Sequence, residues 1–227
     1  MLLWSRATVR TGIAGDASFL LRRATVSRIA SAPAKSRPAL RRALWTRRDA
    51  MPHGARAAAD RLIRSSLAHS PWLRPGTSVS LYVSRGTEVS TAPLRSLARR
   101  RGCRVYLPRI TDFAARRMAL LPDLGRPMRL NRYRIAEPLG GARITPQALA
   151  VVLMPLVGFD DAGNRLGNGA GYYDRFLAWR HGTRGAPVLV GIAYECQRCT
   201  ALDAAAHDVP LDAVITEQGI HFFNRKR

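Results

Sequence analysis

Between residues 164 and 177 the chain reads NRLGNGAGYYDRFL, which places three glycines, two tyrosines, an aspartate and two arginines close together. Gly167, Gly169 and Gly171 alternate, and removing Cβ at alternate positions lets the backbone approach a ligand and adopt positive φ. Unpaired N–H groups there, with those of a helix starting near Gly171, would form an anion site. Arg165 could add a two-pronged phosphate contact. Asp174 falls in the first helical turn, where an acid complements the helix dipole. Beside a phosphate cradle it could also hold Mg²⁺, which takes one or two carboxylates and fills its shell with phosphate and water. The same glycines would equally suit a tight strand-to-helix turn that binds nothing, and spacing alone leaves both readings open. Two familiar phosphate loops do not fit: a Walker loop needs Gly-Lys-Ser/Thr, and the dinucleotide fingerprint needs G-x-G-x-x-G where this chain has G-x-G-x-G. Tyr172 and Phe176, like Tyr173 and Leu177, are i, i+4 pairs, so one pair is expected in the core and one ring against the pocket.

The elements around this stretch must position it. ALAVVLMPLVGF (148–159) is an apolar run of the kind found in a central parallel strand. A helix is expected from Tyr172 to about Trp179, then a buried strand at 187–194 and a last strand at 212–217. Upstream, a helix starts at Pro38, with Leu40, Leu44 and Trp45 on its apolar side and Arg37, Arg41, Arg42, Arg47 and Arg48 on the other faces. A second helix is expected over His53–His69, ended by Ser70-Pro71. Residues 77–84, 90–102 and 103–109 read as strand, helix and strand, with Ser90 or Thr91 as N-cap and Gly102 as stop. The middle, 110–146, carries only weak strand signals near 116–121. Alternating β and α elements predict an α/β fold, a mostly parallel sheet with helices on both faces in a single domain over 35–227.

At 227 residues the chain is long enough to bury a core, with 47% hydrophobic residues. The formal charge is +22, yet lysine occurs only at Lys35 and Lys226 and nearly all the cations are arginine. Such a surface attracts polyanions of any kind, from nucleic acid to nucleotides, and the charge does not choose among them. No apolar stretch approaches the roughly 18 residues of a membrane span. Cys196 and Cys199 have C-x-x-C spacing, but there is no second pair and only His207 lies near, so ordinary reduced thiols are expected. Residues 1–34 hold five arginines against a single acid. Their composition suits a mitochondrial transit peptide, but a disordered extension is the preferred expectation.

The stretch FDDAGNRLGNGAGYYDRFL (159–177) resembles the motif of the 5-formyltetrahydrofolate cyclo-ligases, also called 5,10-methenyltetrahydrofolate synthetases. LYVSRGTEVSTAPL, VYLPR, YRIAEP and HDVPLDAVITE resemble further segments of that family, so the similarity runs over roughly 36–220. The resemblance implies a fold of the NagB/RpiA/CoA-transferase kind and ATP- and Mg²⁺-dependent closure of 5-formyltetrahydrofolate to 5,10-methenyltetrahydrofolate, with ADP and phosphate released. It assigns ATP contacts to Arg37, Arg41, Arg165, Leu166, Gly167, Asn168, Gly169, Ala170, Gly171, Tyr172 and Tyr173. The family's lysine is replaced at Arg37, and arginine does not reproduce an ammonium point charge. Substrate contacts fall on Val83, Glu88, Asn168, Gly169, Ala170, Gly171 and Tyr172, and Mg²⁺ on Asp174 and Asp212. No nucleophilic side chain is required. The resemblance further implies a cytoplasmic monomer with no membrane and no specific nucleic acid as partner. Competing expectations are a sugar-phosphate isomerase or CoA-transferase relative of the same architecture, and a basic nucleic-acid-binding protein, which would need clustered cations with exposed stacking aromatics.

Overall fold

The computed structural model describes residues 36–181 and 187–223; the extension expected over 1–34 lies outside them. In chain order the elements are α1 (Arg37–Asp49), α2 (His53–His69), β1 (Ser78–Ser80), α3 (Ala92–Arg100), β2 (Arg104–Asp112) and β3 (Arg117–Pro122). There follow β4 (Met128–Leu130), β5 (Ala136–Pro138), β6 (Val151–Pro155), β7 (Gly158–Phe159) and β8 (Arg165–Leu166). The chain then forms α4 (Tyr172–Phe176), β9 (Val188–Ile192), β10 (Ala213–Thr216) and β11 (Gly219–Phe222).

Seven strands form one sheet in the order β11-β10-β9-β6-β1-β2-β3. The inner pairs are parallel, and β11 and β3 close the two edges antiparallel. The α/β expectation therefore holds, as a mixed but mostly parallel sheet. Alternation along β6 explains its two faces. Val151 and Leu153 point into a core shared with Ile63 and Leu67 of α2 and Leu94 and Ala98 of α3. Val152 and Met154 point the other way, where Leu177, Tyr173 and Phe176 cover them. Helical residues thus pack on both faces.

From β1 the chain goes to β2 on one side and later returns to β6 on the other. The order reverses beside β1, and in such sheets the crevice beyond the carboxyl ends of the strands at this switch point is where ligands bind.

Three boundaries differ from the sequence expectation. β1 stops at Ser80, although the Leu81 N–H still donates to the Tyr106 carbonyl of β2; Leu81 and Tyr82 are buried, and Val83 and Ser84 are half-buried beyond the strand. The run at 148–159 divides after Pro155, and Gly158 and Phe159 form a short hairpin with Arg165 and Leu166. A Cβ at Gly158 would come within 2.5 Å of Leu44, so the chain turns here tightly beneath α1. The helix after Gly171 is only five residues long and passes into a 3₁₀ turn at Ala178–Arg180.

Candidate active site

A cleft of about 960 Å³ opens at the switch point. Its floor is Tyr82 and Val83 beyond β1 and Pro155 at the end of β6; Pro108 and Ile110 of β2 and Met118 of β3 form one wall. The loop 167–171 and Arg37, Arg41, Trp45 and Arg48 of α1 line it as well.

The glycine loop is built for close approach. Gly169 and Gly171 have φ of 98° and 69°, backbone that side-chain-bearing residues rarely adopt. None of the N–H groups of 167–171 donates to a backbone carbonyl among the described residues. Residues 167–171 are exposed or half-exposed along the cleft, so these N–H groups are open to an anion bound there. Arg41 is bound to the loop itself, its Nε donating to the Gly167 carbonyl at 2.8 Å. Burial and the neighbouring Arg37 lower the pKa of Arg41, although Asp208 works the other way.

Helix α1 carries its cleft arginines on one stripe. Arg41 and Arg48 stand four and eleven positions after Arg37, which is about 40° and 20° around the helix axis. Leu44 falls on the same stripe and is fully buried, anchoring it against Val157, Leu166 and Cys199. The expectation that the arginines occupy the faces away from Leu44 is thus corrected: Arg37, Arg41 and Arg48 share its side. Arg37 Nη1 donates to Asp208 Oδ2 at 2.6 Å. That carboxylate is opposed by burial, but Arg37 and the Ala205 N–H hold it below its ordinary pKa.

Arg165, at the base of the loop, donates from Nη2 to Asp174 Oδ1 at 2.5 Å, and the same oxygen accepts from the Val209 N–H at 3.2 Å. Arg165 Nε and the Tyr173 hydroxyl are buried without a hydrogen-bond partner. Burial pushes the Tyr173 pKa up strongly; Arg165 opposes this and Glu88 adds to it. Glu88 accepts from the Arg85 N–H at 2.9 Å. Burial raises the Glu88 pKa, while the Arg85 N–H, the Arg48 guanidinium and the Asn168 side chain pull it back. Glu88 is therefore not the solvated loop acid that composition alone suggests.

The cleft brings together Arg37, Arg41, Val83, Glu88, Arg165, Gly167, Asn168, Gly169, Ala170, Gly171, Tyr172, Tyr173 and Asp174. Two expected residues do not join them. Leu166 is 2% exposed and packs into the small core beneath α1. Asp212 precedes β10 at the amino-terminal edge of the sheet; its Oδ2 accepts from the Leu189 N–H at 2.8 Å and lies 3.6 Å from Arg180. Asp212 thus lies outside the lining of the cleft that holds Asp174. No group of three or more metal-ligating side chains occurs among the described residues. The donor set suits an ion that takes most of its ligands from phosphate and water, with Asp174 as the carboxylate beside the loop. Asp212 does not fit that role.

Cys196 and Cys199 lie on and just beyond a 3₁₀ turn as free thiols, and burial pushes both up to about 11. At neutral pH neither is a thiolate, which agrees with the expectation of ordinary reduced cysteines. Sequence reasoning assigns no role to Asp208 or Arg48. The i, i+4, i+11 spacing after Arg37 could have disclosed Arg48. Nothing local could have disclosed Asp208, which meets Arg37 across 171 positions.

Comparison with known proteins decides what this cleft belongs to. The model of the 5-formyltetrahydrofolate cyclo-ligase family matches residues 33–217. The chain belongs to that family. It is 38% identical over 143 residues to the 5-formyltetrahydrofolate cyclo-ligase of Escherichia coli K12, covering 61% of this chain and 77% of the relative. The cyclo-ligase of Haemophilus influenzae is 37% identical over 144 residues, covering 61% and 74%. An Arabidopsis thaliana relative, 25% identical over 75% of this chain and 70% of its own, is described as mitochondrial. The solution structure of Aquifex aeolicus 5,10-methenyltetrahydrofolate synthetase superposes with a TM-score of 0.73 at 27% identity, covering 84% of this chain and 94% of that one. As a cyclo-ligase, the chain is a ligase of folate one-carbon metabolism that converts 5-formyltetrahydrofolate to 5,10-methenyltetrahydrofolate. No helix among the described residues is long and apolar enough to cross a membrane.

Proposed function

We propose that the cyclo-ligase reaction here is driven by ATP bound as its Mg²⁺ complex, with its phosphates against loop 167–171 and the folate between Val83, Glu88 and the wall of Ile110 and Met118. One observation carries the reading: the row of unpartnered N–H groups at 167–171, flanked by Arg41 and Arg165, is a site for a polyanion. The helix beyond Gly171 is too short to add much dipole, so the loop and the arginines supply the positive potential.

The chemistry needs little more. A formamide oxygen is a poor leaving group, and transfer of the γ-phosphoryl group from ATP to that oxygen turns it into phosphate, releasing ADP. The N10 amine, tethered on the same substrate, attacks the activated formyl carbon and loses its proton. The C–O bond then breaks, phosphate leaves, and the five-membered ring is closed. Tethering gives the attack a high effective concentration. The chain's part is positioning and charge. Arg41 and Arg165 neutralise phosphate oxygens, the loop N–H groups donate to them, and the unpartnered Tyr173 hydroxyl is a donor for the reacting oxygen. Glu88 accepts hydrogen bonds from substrate N–H groups. Mg²⁺, when bound, would spread the phosphate charge, and Asp174 is the residue that would hold it.

We take the enzyme to act as a monomer. We place the enzyme in the cytoplasm, a reducing compartment that suits its free thiols, and its catalytic domain at 35–227, leaving 1–34 as an extension outside it. The test is an assay following the near-ultraviolet absorbance of the methenyl product. It should appear only with ATP and Mg²⁺ both present, with one ADP per product. Product formed at full rate without ATP would refute the reading.

A further inference from the structure

Helix α1 reaches both halves of the cleft. Near its start Arg41 holds the glycine loop; two turns on, at its end, Arg48 holds the loop that carries Glu88. Arg48 is 8% exposed, and its Nε donates to the Thr87 hydroxyl at 3.0 Å. That hydroxyl in turn donates to Asp49, the next residue of α1. Thr87 immediately precedes Glu88, and all four residues line the cleft. A buried guanidinium is costly unless it is paired or hydrogen-bonded. Here its company is a hydroxyl, the Asp49 carboxylate 3.9 Å away, and the nearby Glu88.

From this geometry we propose that Arg48 is a positioning residue for the cyclo-ligase reaction: it clamps the 84–91 loop to α1 and so fixes where Glu88 meets the folate. The inference rests on the folate side of the reading above, and it gives Arg48 two separable duties. The first is geometric and runs through Thr87 and Asp49. The second is electrostatic, because a cation beside Glu88 favours its ionised form. The other groups facing Glu88 are Arg85 from its own loop, Tyr82 beyond β1, Asn168 from the glycine loop and Tyr173 from α4; of these only Arg85 is a further cation.

Three variants separate the duties: Arg48→Met removes both, while Arg48→Lys and Thr87→Val keep the charge and break the clamp. Steady-state kinetics would be measured with folate and ATP varied in turn, from about pH 5 to 8. The folate KM should rise roughly ten-fold or more in all three, the scale of one charge-assisted hydrogen bond. The ATP KM should change far less. Glu88 already titrates above the ordinary carboxylate range, so kcat/KM for the folate should fall on its acid side. In Arg48→Met this limb should move to higher pH, while in Arg48→Lys and Thr87→Val it should stay. Because these last two variants retain the local charge, they test the clamp even if Arg48→Met does not fold. A folate KM and acid limb like those of wild type in Arg48→Lys and Thr87→Val would overturn the proposal. So would folate and ATP KM values rising in step with a lowered melting temperature, which would mark a merely structural arginine. Absence of ATP-dependent turnover in the wild-type enzyme would instead defeat the functional reading.

Discussion

Replacing Arg41 by glutamine should weaken ATP binding far more than the same change at Arg37, although both arginines line the cleft on one helical stripe. Arg41 is held at the loop by the Gly167 carbonyl, and its guanidinium carbon lies 3.5 Å from the point where a Gly169 Cβ would stand. Burial and Arg37 both act against its charge, so an incoming phosphate relieves it. Arg37 is already satisfied: Asp208 sits at 2.6 Å and the Asp203 carbonyl at 3.1 Å. A phosphate must share or displace these partners, so the net gain from Arg37 is small. A charge-assisted hydrogen bond contributes about 1.5–3 kcal/mol, or ~10–150-fold in Kd, for Arg41→Gln. For Arg37→Gln, whose pair is partly exposed, less than about 1 kcal/mol and five-fold is expected. Calorimetric titration with a non-hydrolysable ATP analogue at fixed ionic strength measures both. Losing the Gly167 bond should lower the melting temperature of Arg41→Gln by only about 2–4 °C, so a folded protein remains to be titrated. An Arg41→Gln affinity within two-fold of wild type, or a larger loss in Arg37→Gln, would refute the reasoning.

Gly169→Val combines a branched side chain with φ of 98° and should abolish measurable nucleotide binding while circular dichroism stays native; unchanged affinity would reduce the glycines to a turn. Asp174→Asn should depress turnover by orders of magnitude and weaken the response to Mg²⁺; wild-type turnover at limiting Mg²⁺ would remove it from the metal site. Asp212→Asn should instead lower thermal stability, through its contacts with Leu189 and Arg180, and leave the Mg²⁺ requirement unchanged; a raised Mg²⁺ requirement in that variant would restore Asp212 as a ligand. Deleting residues 1–34 should preserve folding and turnover, whereas deleting through Arg41 should raise the ATP KM; loss of activity in the shorter deletion of a folded protein would move the domain boundary.

The elements legible in the sequence are those whose pattern is local. Helix α2 runs from His53 to His69 as periodicity and the Ser70-Pro71 stop require. The strands at 151–155, 188–192 and 213–216 lie within their apolar runs. The edges are harder. β3 has only a weak signal and β11 none, because an edge strand is half solvated and carries no continuous apolar run. At 81–84 and 156–159 the apolar pattern outruns the central strands: Leu81 keeps one bond to β2, and Gly158 and Phe159 pair with β8 in a separate hairpin.

Much the same division runs through the active site. Alternating glycines, Arg165 and Asp174 lie within ten consecutive positions, so their chemistry can be reasoned from spacing, and the family motif agrees with them. The sequence by itself thus determined the family, the central parallel strands and the position of the glycine loop. Only the tertiary structure decided which distant side chains reach that loop. It brought Asp208 to Arg37, and Arg48 with Thr87 to Glu88, and it turned Asp212 to the far edge of the sheet. Such meetings join residues far apart in the chain, and they are set by strand order and by which face of a helix is anchored. A buried Leu44 on α1 fixes the rotation of three arginines, and that constraint exists only once the helix has something to pack against.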